Sequence, residues 1–306
     1  MENISVDCVV VTYNKIKLLK ECLGALLAQD FQLKNIIIID NNSTDDTYTF
    51  VKELKKSSNS GIKLKLVHLN KNLGGAGGFN VGIRTFIEQS DSEYVWVMDD
   101  DTVPLKNSLS ELVKVIRTKR KFGFLASNDR WIDGKAAVMN VPRPTKCWNE
   151  DVNNHLIRIK SASFVSLLLP RKVIKIIGLP ISDFFIWGDD VEYTTRIFRN
   201  GFNNFLVPTS CVIHKIKNNI GTNIIEEKDK ERIKRYYFAN RNALYCKRKY
   251  EGRKGYLLEL VRQIYVLVKI IFKSHNNTFT KFKASFRGTC SGVFFNPKVE
   301  MFKRYH

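Results

Sequence analysis

The chain has no Cys-x-x-Cys pair. Its six cysteines, Cys8, Cys22, Cys147, Cys211, Cys246 and Cys290, lie far apart, which excludes a zinc ribbon or a dithiol redox motif and predicts free thiols. There is no run of about 18 uninterrupted apolar residues, so a membrane-spanning helix is not expected. Met1 to Asp7 carries neither a basic n-region nor an apolar h-region, and the expected location is therefore the cytoplasm. No internal repeat is evident. Acid is scarce: 30 Asp and Glu face 50 Lys and Arg, a net charge of +20. The shortage is greatest in the tail, where residues 216–306 hold 7 acids against 21 bases. Such a surface suits nucleic acid, anionic lipid, an anionic substrate or plain solvation, and charge alone does not choose among them. What is present is ordinary globular material, with 44% hydrophobic and 26% charged residues across 306 positions, enough for a full core.

Val6 to Val11 is a continuous apolar, β-branched run, followed by a helical pattern through Leu18, Leu19, Cys22, Leu23, Leu26 and Leu27. The alternation recurs with a strand Ile36 to Ile39 and a helix Thr47 to Lys55, then a strand Leu64 to Leu69 and a helix Phe79 to Glu88. A fourth strand, Tyr94 to Met98, follows. Strands alternating with helices predict an α/β fold with a mostly parallel sheet covered on both faces. In such a sheet the ligand crevice lies beyond the carboxyl ends of the strands. Beyond Met98 the pattern predicts a helix Leu105 to Arg120, strands Gly123 to Ser127 and Phe164 to Leu169, helices Lys172 to Ile177 and Asp190 to Asn200, and extended pieces at Phe205 to Val207 and Cys211 to His214. A helix is expected from Glu226 to Phe272. The last thirty residues signal little.

Four polar clusters sit at the expected strand ends. Thr12, Tyr13 and Asn14 follow the first strand; Asp40, Asn41 and Asn42 the second; Asn72 with Gly74, Gly75, Gly77 and Gly78 the third; Asp99, Asp100 and Asp101 the fourth. Three adjacent acids repel one another unless a cation neutralises them, and the alternate pair Asp99 and Asp101 is spaced to share one divalent ion. The glycines let backbone N–H groups approach an anion, but their spacing is not the dinucleotide G-x-G-x-x-G, and they follow the third strand rather than the first. Asp40 can accept the imide N–H of a pyrimidine, while Asp45 or Thr44 caps the next helix. A second acidic site, Trp187-Gly188-Asp189-Asp190-Val191-Glu192, places carboxylates at a helix start, where the macrodipole favours them and where one could act as a general base. His214 closes an apolar run 24 residues after Asp190.

Taken together and in this order, these segments resemble glycosyltransferase family 2, whose members have the GT-A fold. Within it, the N-x-G-G-A-G-G-F run, the triple aspartate and the D-D-x-E segment are more similar to bacterial galactofuranosyltransferases than to the rhamnosyltransferase branch. The resemblance implies an inverting hexosyltransferase using Mn²⁺ or Mg²⁺ held by Asp99, Asp101 and His214. Asp40, Asn42, Asn72, Gly74, Gly75, Asp99, Asp100 and the Thr12–Asn14 turn would bind the UDP-sugar donor. Asp190 would be the base, and Trp187, Asp189 and Glu192 would orient the sugars. It implies galactofuranose as donor sugar and a polyprenyl-diphosphate-linked glycan as acceptor, in cell-envelope or capsular polysaccharide synthesis. Residues 1–215 would form the catalytic domain, with a nucleotide-binding half 1–101 and an acceptor half 102–215.

Residues 216–306 would form a basic helical region. Gly255 to Phe272 sets Leu257, Leu260, Val261, Ile264, Val268 and Ile271 on one stripe beside Lys247, Arg248, Lys249, Arg253 and Lys254. That stripe suits an anionic membrane surface, which would make the protein peripheral on the inner face of the plasma membrane. It equally suits the catalytic domain or a twin subunit in a homo-oligomer. A nucleic-acid-binding protein matches the charge and Tyr236, Tyr237 and Phe238, but no recognised nucleic-acid module is present and none is expected to bind.

Overall fold

The computed structural model describes residues 4–57, 60–119 and 121–302. Strand β1 (Val6–Thr12) is buried along its whole length, as a central parallel strand must be. Helix α1 (Ile16–Leu27) then turns Leu19, Cys22, Leu23 and Leu26 inward, each apolar side chain contributing about 2 kcal/mol by burial. The pattern repeats through β2 (Asn35–Asp40), α2 (Thr47–Ser57), β3 (Lys63–His68), α3 (Gly74–Gln89) and β4 (Tyr94–Asp99). β3, β2, β1 and β4 lie side by side and parallel, so Asp40, Thr12 and Asp99 end at one edge.

The chain continues through β5 (Thr102–Pro104), α4 (Ser108–Thr118), β6 (Leu125–Trp131), β7 (Arg143–Pro144), β8 (Ile157–Ser161), β9 (Leu167–Pro170), α5 (Arg171–Ile177), α6 (Asp189–Arg199) and β10 (Phe205–His214). Here the sheet becomes mixed: β9 runs antiparallel between β4 and β6, β10 lies parallel to β6, and β8, β7 and β5 pair antiparallel at the far side. Apolar residues on the two sheet faces form two main cores, one under α1 and α4 and one under α3, α5 and α6.

Several elements differ from the pattern reading. α3 begins at Gly74, not Phe79, so the glycines are its first turns. A Cβ on Gly78 or Gly82 would overlap Val11 or Val9, and the close approach of α3 to β1 outweighs glycine's poor helix propensity. The pieces expected on either side of Pro208 are one strand, β10, whose register shifts between Val207 and Cys211. The short strands β7 and β8 went unpredicted, and Arg120, the expected end of α4, lies outside the described residues.

The tail forms a helical hairpin, α7 (Lys230–Lys273) and α8 (Thr278–Phe294). α7 opens at Asp229, whose side chain accepts from the Glu231 and Arg232 amides, and kinks at Gly252, where φ is +70°. Its first half packs on the turn before α6: Asn242 donates to the carbonyls of Phe184, Ile186 and Trp187, and Arg241 to those of Asp183 and Phe184. The outward apolar stripe on its second half does not pack on the catalytic domain, for Leu257, Val261, Ile264, Val268 and Ile271 are exposed. No helix among the described residues is long and apolar enough to cross a membrane.

Candidate active site

A cleft of about 1790 Å³ opens at the carboxyl edge of the sheet. Asp99 and Asp101 enter it from the end of β4 and the turn after it, and His214 from the end of β10. Antiparallel pairing sets His214 opposite Thr102, which is why a histidine far away in sequence meets the triple aspartate. One donor atom from each of Asp99, Asp101 and His214 lies within 4.8 Å of the others. His214 Nε2 stands 3.1 Å from Asp101 Oδ1, while its Nδ1 faces Asn140 Oδ1 at 3.1 Å and Asp129 Oδ2 at 3.7 Å. With Nδ1–H donated to that side, the Nε2 lone pair is left for the cleft. Asp101 Oδ1 is buried and makes no aligned hydrogen bond. Two carboxylates and an imidazole around such an oxygen fit a divalent cation such as Mn²⁺ or Mg²⁺.

The electrostatics agree with this fit. Burial and the charge of Asp101 push Asp99 up to about 7, and burial lifts Asp100 to about 6 against the pull of Lys15. Burial acts on Asp101 in the same sense, but His214 and Lys15 overcome it and hold that carboxyl well below its usual range. Burial alone would lower His214; its acidic neighbours raise it. Lys15 Nζ, 3.2 Å from Asp100 Oδ1 and 2.8 Å from Asp101 Oδ2, supplies positive charge to the cluster. Sequence reasoning stopped one residue short of it, at Asn14. Asp129, pushed up to about 7 by burial, was also missed, because only the β6–β10 pairing brings it behind His214.

The second acidic site lies in the same cleft. Gly188, at φ +92°, turns the chain into α6, so Asp189 and Asp190 occupy its first turn. The Val191 and Phe164 amides hold the Asp190 carboxylate, with Val191 N at 2.7 Å, while burial pushes it up to about 6. Asp189 is more deeply buried and is driven well above the usual range by burial and by Asp190. Trp187 packs edge-on against Tyr236 with centroids 5.1 Å apart. Glu192, expected to orient a sugar, lines the cleft. Its carboxylate is buried and spent on Arg196, at 3.1 and 2.9 Å, and on the Tyr250 hydroxyl.

The donor-side residues divide. Gly75 lines the cleft, with open space where a Cβ would be. Gly74, expected with Asn72 to bind the donor, packs against the Phe185 carbonyl at φ +72° and donates its N–H to Asn72 Oδ1 at 2.7 Å, an internal seam. Asn41 completes that seam, donating to Gly74 O and accepting from the Leu73 amide, each at 2.8 Å. Asp40 is fully buried; Oδ1 accepts from the Ser43 amide at 2.9 Å and Oδ2 faces His68 Nδ1 at 2.7 Å. The motif reading missed His68, a half-exposed ring. Thr12 is buried, the Tyr13 amide lies 3.3 Å from Asp100 Oδ2, and Asn14 ties the two loops by accepting from the Thr44 amide. Asn42 sits at φ +65° in the β2 turn. Asp45 does cap α2, accepting from Thr47 N, and also holds the Ile16 amide at the start of α1.

Residues 7–164 match the family model described as "Glycosyl transferase family 2". The chain belongs to that family. This transferase is 27% identical over 215 residues to galactofuranosyltransferase GlfT1 of Mycobacterium tuberculosis, a match covering 64% of this chain and 66% of that protein, just under two thirds of its length. Its fold matches S. aureus TarS 1-349 in complex with UDP, with a TM-score of 0.55 at 18% identity over 90% of this chain and 74% of that one. It also matches GalNAc-T7 with UDP, GalNAc and Mn²⁺, with a TM-score of 0.61 at 14% identity over 83% of this chain and 52% of that one. The fold of the transferase is accordingly of the GT-A kind, a mixed sheet flanked by helices.

Proposed function

We propose that this glycosyltransferase moves galactofuranose from UDP-galactofuranose, with inversion, onto a polyprenyl-diphosphate-linked glycan in cell-surface polysaccharide synthesis. The observation that carries the reading is the meeting, in one cleft, of the Asp99–Asp101–His214 cluster with Asp190. The likeness to a galactofuranosyltransferase supports the sugar, and structures holding UDP and Mn²⁺ support the nucleotide and the ion. Residues 1–101 serve the nucleotide, 102–215 the acceptor, and 216–306 form the basic helical region.

Asp99, Asp101 and His214 hold Mn²⁺ or Mg²⁺, which when bound neutralises the leaving diphosphate. Asp190, ionised above about pH 6, accepts the proton of the acceptor hydroxyl. The hydroxyl oxygen forms a bond to the anomeric carbon from the face opposite the diphosphate, and the bond from that carbon to the β-phosphate oxygen breaks, releasing UDP. Gly75 gives the donor room, and Trp187 with Asp189 shapes the sugar pocket beside the base. Arg143, Lys217, Arg232 and Arg235 on the cleft wall suit the phosphates of an anionic acceptor.

The deciding experiment is a donor screen with Mn²⁺ and a lipid-diphosphate acceptor, offering UDP-galactofuranose, UDP-galactopyranose, UDP-glucose and dTDP-rhamnose, with product mass and NMR linkage. Transfer from the furanose donor alone, giving the inverted anomer, is the expected result. Transfer from dTDP-rhamnose alone would replace the donor assignment, and a retained anomer would remove Asp190 as base.

A further inference from the structure

The second half of α7 turns a mixed face inward, with Glu259 and Gln263 beside Leu267 and Ile270. Glu259, Gln263 and Thr289 are buried between α7 and α8, where Gln263 Nε2 donates to Glu259 Oε1 at 2.8 Å and to Asn240 O at 3.0 Å, and Thr289 Oγ1 to Gln263 Oε1 at 2.8 Å. The apolar side faces out: Leu258, Val261, Tyr265, Val268, Ile271 and Phe272 form a stripe of about 20 Å along the helix. Phe279 and Phe286 of α8 are exposed on the same hairpin. Exposure reaches 64% at Val261, 80% at Phe272 and 76% at Phe279, an inversion of what a water-facing helix presents.

From Arg253 to Lys298 the exposed charge is of one sign, Glu259 being buried and paired with Arg262. Between Glu259 and Glu300 the sequence has no acid. Arg253 and Lys254 stand exposed before the stripe, Lys273 at its end, and Lys283 and Arg287 on α8. A second copy of the hairpin would bring these cations against their own kind, whereas an anionic lipid surface complements them. The stripe also borders the cleft, because Arg262, Gln263, Val266 and Lys269 line it from the same helix.

We propose that the α7–α8 hairpin lies in the plane of a bilayer rich in anionic lipid, with its apolar stripe in the interface and the cleft opening along the basic edge. A diphosphate held at the lipid surface then meets Arg262 and Lys269 while its glycan points toward Asp190. This deepens the reading of a lipid-linked acceptor and rests on it for its use, but the contact itself is measured without any sugar.

The full chain is sedimented with vesicles of equal parts phosphatidylglycerol and phosphatidylcholine, or of phosphatidylcholine alone. The anionic vesicles should pellet most of the protein, and the bound-to-free ratio should fall about tenfold on neutral vesicles and again for V261E/V268E. F272S/F279S, at the exposed hairpin tip, is the second variant should the first fail to fold, and UDP binding with circular dichroism checks both. Failure to pellet with either vesicle, or equal binding to both, would overturn the proposal. So would a two-chain mass in sedimentation equilibrium that V261E/V268E reduces to one, since the stripe would then be covered by a second copy. Vesicle binding without transfer from any donor would sink the proposed reaction and leave this inference standing; transfer to a water-soluble acceptor without vesicle binding would do the reverse.

Discussion

In the proposed reaction Asp190 is the side chain on which the chemistry turns, and its burial sets a pH signature. A carboxyl pushed up to about 6 is protonated below that pH and cannot accept a proton. The value of kcat/KM should therefore fall about tenfold per pH unit below 6, a limb that isotope-labelled donor assays can trace. Asp190→Asn keeps the shape and removes the base, so transfer should drop by about a thousandfold or more while UDP affinity, measured calorimetrically, stays within about threefold. Unchanged turnover in that variant would end the assignment. Asp101→Ala removes a cluster member held by both Lys15 and His214, and Mn²⁺-dependent tightening of UDP binding should disappear with it. Glu192→Gln acts differently: it leaves Arg196 buried without its anion, and the loss should appear as about 3 kcal/mol of stability in urea titration.

Among the elements, α3 shows how far pattern alone reaches. The heptapeptide around Gly74 to Gly78 reads as a loop by propensity, and only the space left by Val9, Val11 and Phe185 explains why it is helix. β1, β2 and β4 were legible because buried parallel strands are continuous apolar runs, and the edge strand β3 because Lys and Leu alternate along it. β7 and β8 were not: β7 has two residues, and the period-2 alternation Ile157-Arg158-Ile159-Lys160 of β8 is short and sits in a long polar stretch that reads as loop. His214 was legible as a cluster member through family order, but Asp129 and Asn140 depend on register and loop placement, which no local spacing encodes. Gly74→Ala combines a positive φ with overlap on the Phe185 carbonyl; a loss of about 2 kcal/mol or more in chemical denaturation is expected, with transfer impaired even in the folded fraction.

At the scale of the whole molecule two sets of carboxyls oppose each other: Asp101 and the ion-paired Asp151, Glu227 and Glu259 are held low, while the buried carboxyls of the cleft are raised. Asp99, Asp129 and Asp190 are raised to about 7, 7 and 6, and His214 is raised as well. Above about pH 5 the lowered carboxyls are ionised in both states, so between there and about pH 7 the raised set decides: the metal-free fold binds more protons than the unfolded chain, and its stability falls as pH rises through that window. Thermal denaturation without metal should accordingly show a lower Tm at pH 8 than at pH 5.5. Saturating Mn²⁺ should raise the pH 8 value most, because a bound cation takes over the neutralising role of those protons.

The Ala76 amide donates to the Phe185 carbonyl, Asn41 bonds Gly74, and Asn242 is clamped behind the 184–187 turn, so the start of α3 is tied to the turn that precedes α6. In the proposed reaction, segments fastened in this way would be aligned once, during folding, and each turnover would inherit that alignment. Discrimination between acceptors then falls to the side chains along the rim, leaving little for a hinge to do.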